Sequence, residues 1–131
     1  MTLLRAEALA DGVPYAYAAR AEGLLFTAGA CPLDDDGEVV DGGLAEQAAR
    51  TMDNLESALA AAGAGLKDVA KTTVYVASSE RADLVEVWDV VRARFGDHDA
   101  PSTLLGVAVL GYPGQLVEVE AVAVAPSGRE R

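Results

Sequence analysis

Cysteine and histidine each occur once in these 131 residues. Cys31 has no partner for an intrachain disulfide, and one Cys with one His falls short of the usual zinc ligand set. A disulfide scaffold and a zinc centre are therefore not expected, and the low cysteine usage fits a reducing, cytoplasmic setting. Basic residues are also scarce: ten Lys and Arg stand against 21 Asp and Glu, for a net charge of −11. Nucleic-acid binders neutralise phosphates with clustered Lys and Arg. Here the basic residues are scattered and the longest charge run, residues 34–36, is acidic. Neither nucleic acid nor an anionic membrane is an expected partner, and the acidity serves solubility. No run of ~18 apolar residues occurs, so no membrane span is expected. The opening MTLLRAEALADG has neither the basic stretch nor the apolar segment of a signal peptide. A glycine-rich phosphate loop and a serine-hydrolase elbow are both missing.

About half of the chain is apolar, enough for one domain over 1–131, with a core over about 14–125 and a flexible tail over 126–131. Residues 16–21 and 24–29 flank Glu22-Gly23 and read as a hairpin with a tight turn. Residues 31–43 are rich in turn formers and read as a loop. In the segment that follows, Leu44, Ala48, Met52, Leu55, Leu59 and Ala62 recur at spacings of three and four, one apolar helical stripe stopped by Gly63. Residues 69–77 are β-branched and read as a strand. Ser79 is placed to cap a second helix carrying Leu84, Val87, Trp88, Val91 and Phe95 on one face, with Gly96 after it. Strands at 102–110 and 116–124 complete the order β-β-(β)-α-β-α-β-β. Two helices against one mixed sheet make a two-layer α+β domain.

The last strand poses a chemical question. Val117, Val119, Ala121 and Ala123 alternate with Leu116, Glu118, Glu120, Val122 and Val124. The first set is expected to meet the helices. The second, mostly apolar, is expected to be buried by another copy of the chain, so homo-oligomerisation follows from the periodicity. Glu118 and Glu120 then share that face, ~6.5–7 Å apart, and no Lys or Arg lies nearby in sequence. Buried carboxylates cost several kcal/mol unless bonded or paired. Either they sit at the sheet rim, bonded to backbone amides or to a neighbour's basic residue, or one lines an intersubunit cleft and holds substrate or a water.

Four collinear segments, PYAYAARAEGLLFTAGACPLD, AAGAGLKDVAKTTVYV, VEVWDVVRARFG and LVEVEAVAV, resemble the RidA/YjgF family, also called the L-PSP endoribonuclease family. The resemblance runs from about Pro14 to Val124. It implies a chorismate-mutase-like fold and a homotrimer whose sheets wrap a central β-barrel, with three clefts between subunits. It also implies hydrolysis of reactive enamines and imines to a 2-oxo acid and ammonia, without a cofactor. Tyr15 matches the family's cleft tyrosine, and Gly29, Ala30 and Cys31 match the loop after its third strand. Glu118 matches the water-positioning glutamate, with Glu120 second. Ser102 and Thr103 match the residues that follow a substrate-binding arginine in a P-x-R-[ST] motif. That arginine is missing: alignment puts Pro101 or Thr103 in its place, and no Arg lies between Arg94 and Arg129. A substrate carboxylate would lack its bidentate partner, at a typical cost of ~10²-fold or more in binding. The chain thus resembles arginine-lacking subgroups, which argues against the standard 2-imino-acid deaminase activity.

The remaining residues keep two readings each. Cys31 is a small cleft-lining residue, or a nucleophile if a base or a helix N-terminus activates it. His98 is solvated in its turn, or a general base. Ser102 and Thr103 either close the turn before a strand or donate to a substrate oxygen. Tyr17, the alternation partner of Tyr15, shares a wall with it. Tyr112 serves the Gly-Tyr-Pro-Gly turn or borders the cleft, and Trp88 and Tyr75 pack. Three functions follow: a cofactor-independent deaminase-type hydrolase of a small enamine, imine or related carbonyl metabolite; a trimer that binds a small molecule without chemistry; and a ribonuclease, which the acidity opposes.

Overall fold

A computed structural model describes residues 1–126. The expected tail therefore lies, from 127 onward, outside the described residues. The chain forms β1 (Thr2–Leu4), β2 (Ala18–Ala21), β3 (Leu24–Thr27), α1 (Leu44–Ala61), β4 (Val69–Val76), α2 (Arg81–Phe95), β5 (Ser102–Gly106) and β6 (Val117–Val124), with a 3-10 turn at Leu66–Asp68 before β4. The strands make one mixed sheet in the order β1-β2-β3-β6-β4-β5. All neighbours are antiparallel except β4 and β5, which α2 connects in parallel. Both helices pack on the same sheet face, the expected two-layer α+β architecture.

The hairpin turn is set by Glu22 (φ 54°) and Gly23 (φ 80°). Two successive positive φ values give the two-residue turn whose twist suits a β-ribbon. At the other end of β3 the pairing slips. Phe26 faces Val122, but Ala30 faces Val119, so residues 27–29 stand opposite only 120–121. This one-residue bulge shortens the expected strand and re-aims the chain toward β6. Thr27 Oγ1 fills the gap by accepting the Ala121 N–H at 2.9 Å.

The helical stripe of α1 is buried as its spacing requires, with Met52, Leu55 and Leu59 at 0–1% exposure. Glu46 reaches back to the Gly43 N–H at 2.9 Å and closes the first turn. On α2, Val87, Val91 and Phe95 are buried, while Leu84 and Trp88 pack at the margin. The cap differs from expectation. Glu80 occupies the N-cap position, and Ser78, not Ser79, supplies the hydroxyl, accepting from the Glu80 N–H at 2.9 Å and donating to Asp83 at 2.8 Å. Strand β5 stops at Gly106 rather than 110 because its partner β4 ends at Val76. Strand β1 was not expected; three residues carry too little pattern to announce it, and pairing with β2 fixes it.

The alternation on β6 is borne out on the helix side: Val117, Val119, Ala121 and Ala123 are 0–3% exposed. The opposite face has no cover within one chain. Glu118, Glu120 and Val122 are half-buried, Val124 is 52% exposed and Phe26, beside Val122, is 44% exposed. Leu116 departs from the pattern by packing against the main core just before the strand begins.

Candidate functional site

The bulge after β3 lies beside the N-terminal half of β6, and this is where the chemistry gathers. Across the bulge, the Ala30 N–H donates to the Val119 carbonyl at 2.7 Å and the Val119 N–H returns a bond at 3.1 Å. These bonds press the backbone of Gly29 against Glu118. A Cβ placed on Gly29 would stand 1.9 Å from Glu118 Oε2, so the glutamate fills the space that any other residue at 29 would need. Glu118 Oε1 accepts from Gln115 Nε2 at 3.1 Å and receives the Cys31 thiol at 3.6 Å. The thiol also points at the Gly29 carbonyl, 3.4 Å away.

Burial, followed by the neighbouring Glu118 charge, pushes the Cys31 thiol up to about 12 from its ordinary 9.0. A nucleophilic cysteine needs the opposite, a lowered value, so these surroundings do not activate Cys31. Folding holds that proton on the thiol more tightly than the unfolded chain does. The contribution to stability is thus present below pH 9 and lost as pH rises toward 12. Tyr15 also keeps its proton: burial, and then the 3.0 Å contact between its hydroxyl and that of Tyr112, raise it well above the ordinary phenol value. Tyr15 and Tyr17 meet edge to face, with centroids 5.8 Å apart, so they share a wall as the alternation suggested. Tyr17 is tied down by the Ala10 carbonyl.

Within one chain, other expected residues stand apart from the Glu118 cluster. Glu120 accepts the Tyr75 hydroxyl at 2.7 Å, which gives Tyr75 a polar duty beyond packing and pushes its phenol up to about 12. Ser102 Oγ donates to the Ala100 carbonyl at 2.9 Å, the turn-closing role. Thr103 accepts Lys71 Nζ at 2.6 Å. Both stand on β5, separated from β6 by β4, and no hydrogen bond among the described residues joins them to the Glu118 cluster. His98 is not left to solvent. Its Nε2 sits 2.7 Å from the Val69 carbonyl and its ring lies near Phe95, which gives it a structural role.

Sequence reasoning missed three supports of the site. Gln115, just after the Gly-Tyr-Pro-Gly turn, is buried and holds Glu118. Asn54 on α1 donates to the carbonyls of Cys31 and Leu33 at 2.8 and 2.9 Å, fixing the loop beneath the thiol. Gln47 adds a third tie, accepting from the Leu116 N–H at 2.7 Å and donating to the Gly114 carbonyl at 3.0 Å. Asn54 and Gln47 stand among the inward positions of the α1 stripe, where a polar residue signals a specific bond.

Within one chain the space between Tyr15, Tyr17, Cys31 and Asn54 holds only about 20 Å3 for water centres, room for about one water. Among the described residues no group of three or more His, Cys, Asp or Glu is placed to hold a metal, and no helix is long and apolar enough to cross a membrane.

Residues 5–125 match the sequence family described as Endoribonuclease L-PSP. A RutC family protein of Pyrococcus abyssi is 35% identical over 112 residues, 84% of this chain and 85% of that protein. The mouse 2-iminobutanoate/2-iminopropanoate deaminase is 33% identical over 112 residues, 85% of this chain and 81% of the enzyme. Among solved structures, a putative endoribonuclease from Thermotoga maritima superposes with a TM-score of 0.86 at 31% identity, covering 97% of this chain and 99% of that one.

Proposed function

Because this chain belongs to the endoribonuclease L-PSP (RidA/YjgF) family, we propose that it hydrolyses small enamines, imines or related carbonyl metabolites, without a cofactor, in clefts between the subunits of a homotrimer. The observation that carries this reading is the carboxylate of Glu118, seated over bare Gly29 backbone and beside the Cys31 thiol, which in turn neighbours Tyr15. A carboxylate placed beside hydrogen-bond donors suits water activation. In the reaction, a water held by Glu118 adds to the imine carbon. Its oxygen forms the C–O bond as the carboxylate takes one proton, and the C=N electron pair moves to nitrogen, which receives that proton from Glu118 to give a carbinolamine. In the collapse Glu118 takes the hydroxyl proton as the C=O bond forms and the C–N bond breaks, and passes it to the departing nitrogen, which releases ammonia and a carbonyl compound. Neutral Tyr15 orients the ligand by hydrogen bonding.

The one-water space between Tyr15, Tyr17, Cys31 and Asn54 is too small for a substrate, which supports a site completed by a second copy. The uncovered sheet face carrying Phe26, Val122 and Val124 supplies the surface for assembly. A second reading, a trimer that binds a ligand without chemistry, draws support from the arginine missing between Arg94 and Arg129. Ribonuclease activity is disfavoured by the net charge of −11 and by His98 being tied to Val69.

An assay separates these readings. With 2-iminobutanoate generated in situ, the protein is expected to accelerate ammonia release, at a lower kcat/KM than relatives that carry the arginine. Faster release from an imine without a carboxylate would identify the substrate class. Failure to accelerate either would leave the binding reading.

A further inference from the structure

Gln115 closes the turn between β5 and β6, yet its side chain turns inward and is 4% exposed. Its amide is fully engaged. The oxygen accepts the Tyr112 N–H at 3.1 Å, while Nε2 donates to the Val117 carbonyl at 2.9 Å and to Glu118 Oε1 at 3.1 Å. A backbone N–H only donates and a carbonyl only accepts, so these two partners fix which end of the amide is nitrogen. The second N–H points to Glu118 Oε1, with the Cys31 sulfur as a further neighbour of the amide.

The two oxygens of Glu118 are therefore not equivalent. Oε1 takes the Gln115 amide and faces the Cys31 thiol. Oε2 lies against Gly29 and has no hydrogen-bond donor among the described residues. We infer that Gln115 is a positioning residue, which anchors Oε1 of Glu118 and leaves Oε2 to take the proton from the attacking water. This rests on the hydrolysis proposed above and adds which oxygen acts and what aims it. Placement matters because a misplaced catalytic group by about 1 Å costs ~10²-fold in rate. The same turn holds Tyr112 against Tyr15, so Gln115 also links the acid and phenol sides of the site.

Gln115→Leu keeps the bulk and removes the donors. With 2-iminobutanoate it is expected to lower kcat by ~10–100-fold while KM stays within about twofold, the pattern of a lost transition-state interaction. Gln115→Glu turns donors into acceptors facing Glu118 and is expected to lose at least as much. A direct readout of the bond is the side-chain amide cross-peak of Gln115 in a nitrogen–proton NMR spectrum of the full chain. The proton facing Glu118 is expected downfield of solvent-exposed glutamine amides and to move upfield in Glu118→Gln. An unchanged kcat in folded Gln115→Leu, or an unmoved cross-peak in Glu118→Gln, overturns the inference. If Gln115→Leu does not fold, Gln115→Glu and the cross-peak decide it. If the wild-type protein hydrolyses no imine, the catalytic half falls with the proposed function, and the cross-peak alone decides the anchoring.

Discussion

Replacing Glu118 by Gln is expected to abolish most imine hydrolysis, by ~10²–10⁴-fold, the range that loss of a positioned general base produces. The substitution keeps size and shape. Its amide oxygen can still accept from Gln115 Nε2, so the turn at 111–115 and the seat over Gly29 remain filled. What disappears is the ability to take a proton from water. Neither Cys31 nor Tyr15 can substitute, because burial pushes the thiol up to about 12 and raises the phenol well above its ordinary value. A protein that only binds its ligand would behave differently, with Glu118→Gln leaving the fold unchanged and acting on affinity alone. Ammonia release measured beside a thermal melt separates the two, and turnover that survived in the folded variant would remove Glu118 from the mechanism.

The second large effect is expected at a residue with no functional group. Gly29→Ala places a Cβ 1.9 Å from Glu118 Oε2, 2.5 Å from its carboxyl carbon and 2.8 Å from its Cγ. No rotation of the carboxylate alone clears all three, so the side chain must leave its seat and give up Gln115 and Cys31. Overpacking of this kind costs ~1–3 kcal/mol, and the displaced base is expected to lose ~10²-fold in kcat. Denaturant unfolding and steady-state kinetics read the two effects separately. Gly65→Ala is the matched control, since a Cβ there meets nothing within 4 Å. Wild-type activity in Gly29→Ala would show that the observed carboxylate position is not the working one.

Much of the fold was legible where one period dominates. The stripe from Leu44 to Ala62 and the two-residue alternation from Val117 to Ala123 both describe burial, and burial follows from spacing alone. Legibility ended where a partner outside the local window decides. Strand β1 exists because β2 offers an edge, and the extra residue at 27–29 exists because Ala30 pairs with Val119. The site divides in the same way. Gly29, Cys31, Tyr15 and Glu118 are brought together, with Tyr17 beside Tyr15. Glu120 is bonded to Tyr75 instead, and Ser102 and Thr103 stand beyond β4. Tyr112 kept a turn reading beside a cleft one and Gln115 drew no reading of its own, because nothing local tells an inward side chain from an outward one. Their signal was the 3.0 Å and 3.1 Å contacts with residues from other elements or beyond the turn.

All of this chemistry depends on one physical arrangement, in which the sheet face bearing Glu118, Val122 and Val124 is a seam between identical chains. Sedimentation equilibrium of the purified protein at micromolar concentration tests that arrangement directly. A mass near three times 13.5 kDa is the predicted result. A folded species at 13.5 kDa would contradict it, since the carboxylate would then face bulk water with no second wall to hold a substrate.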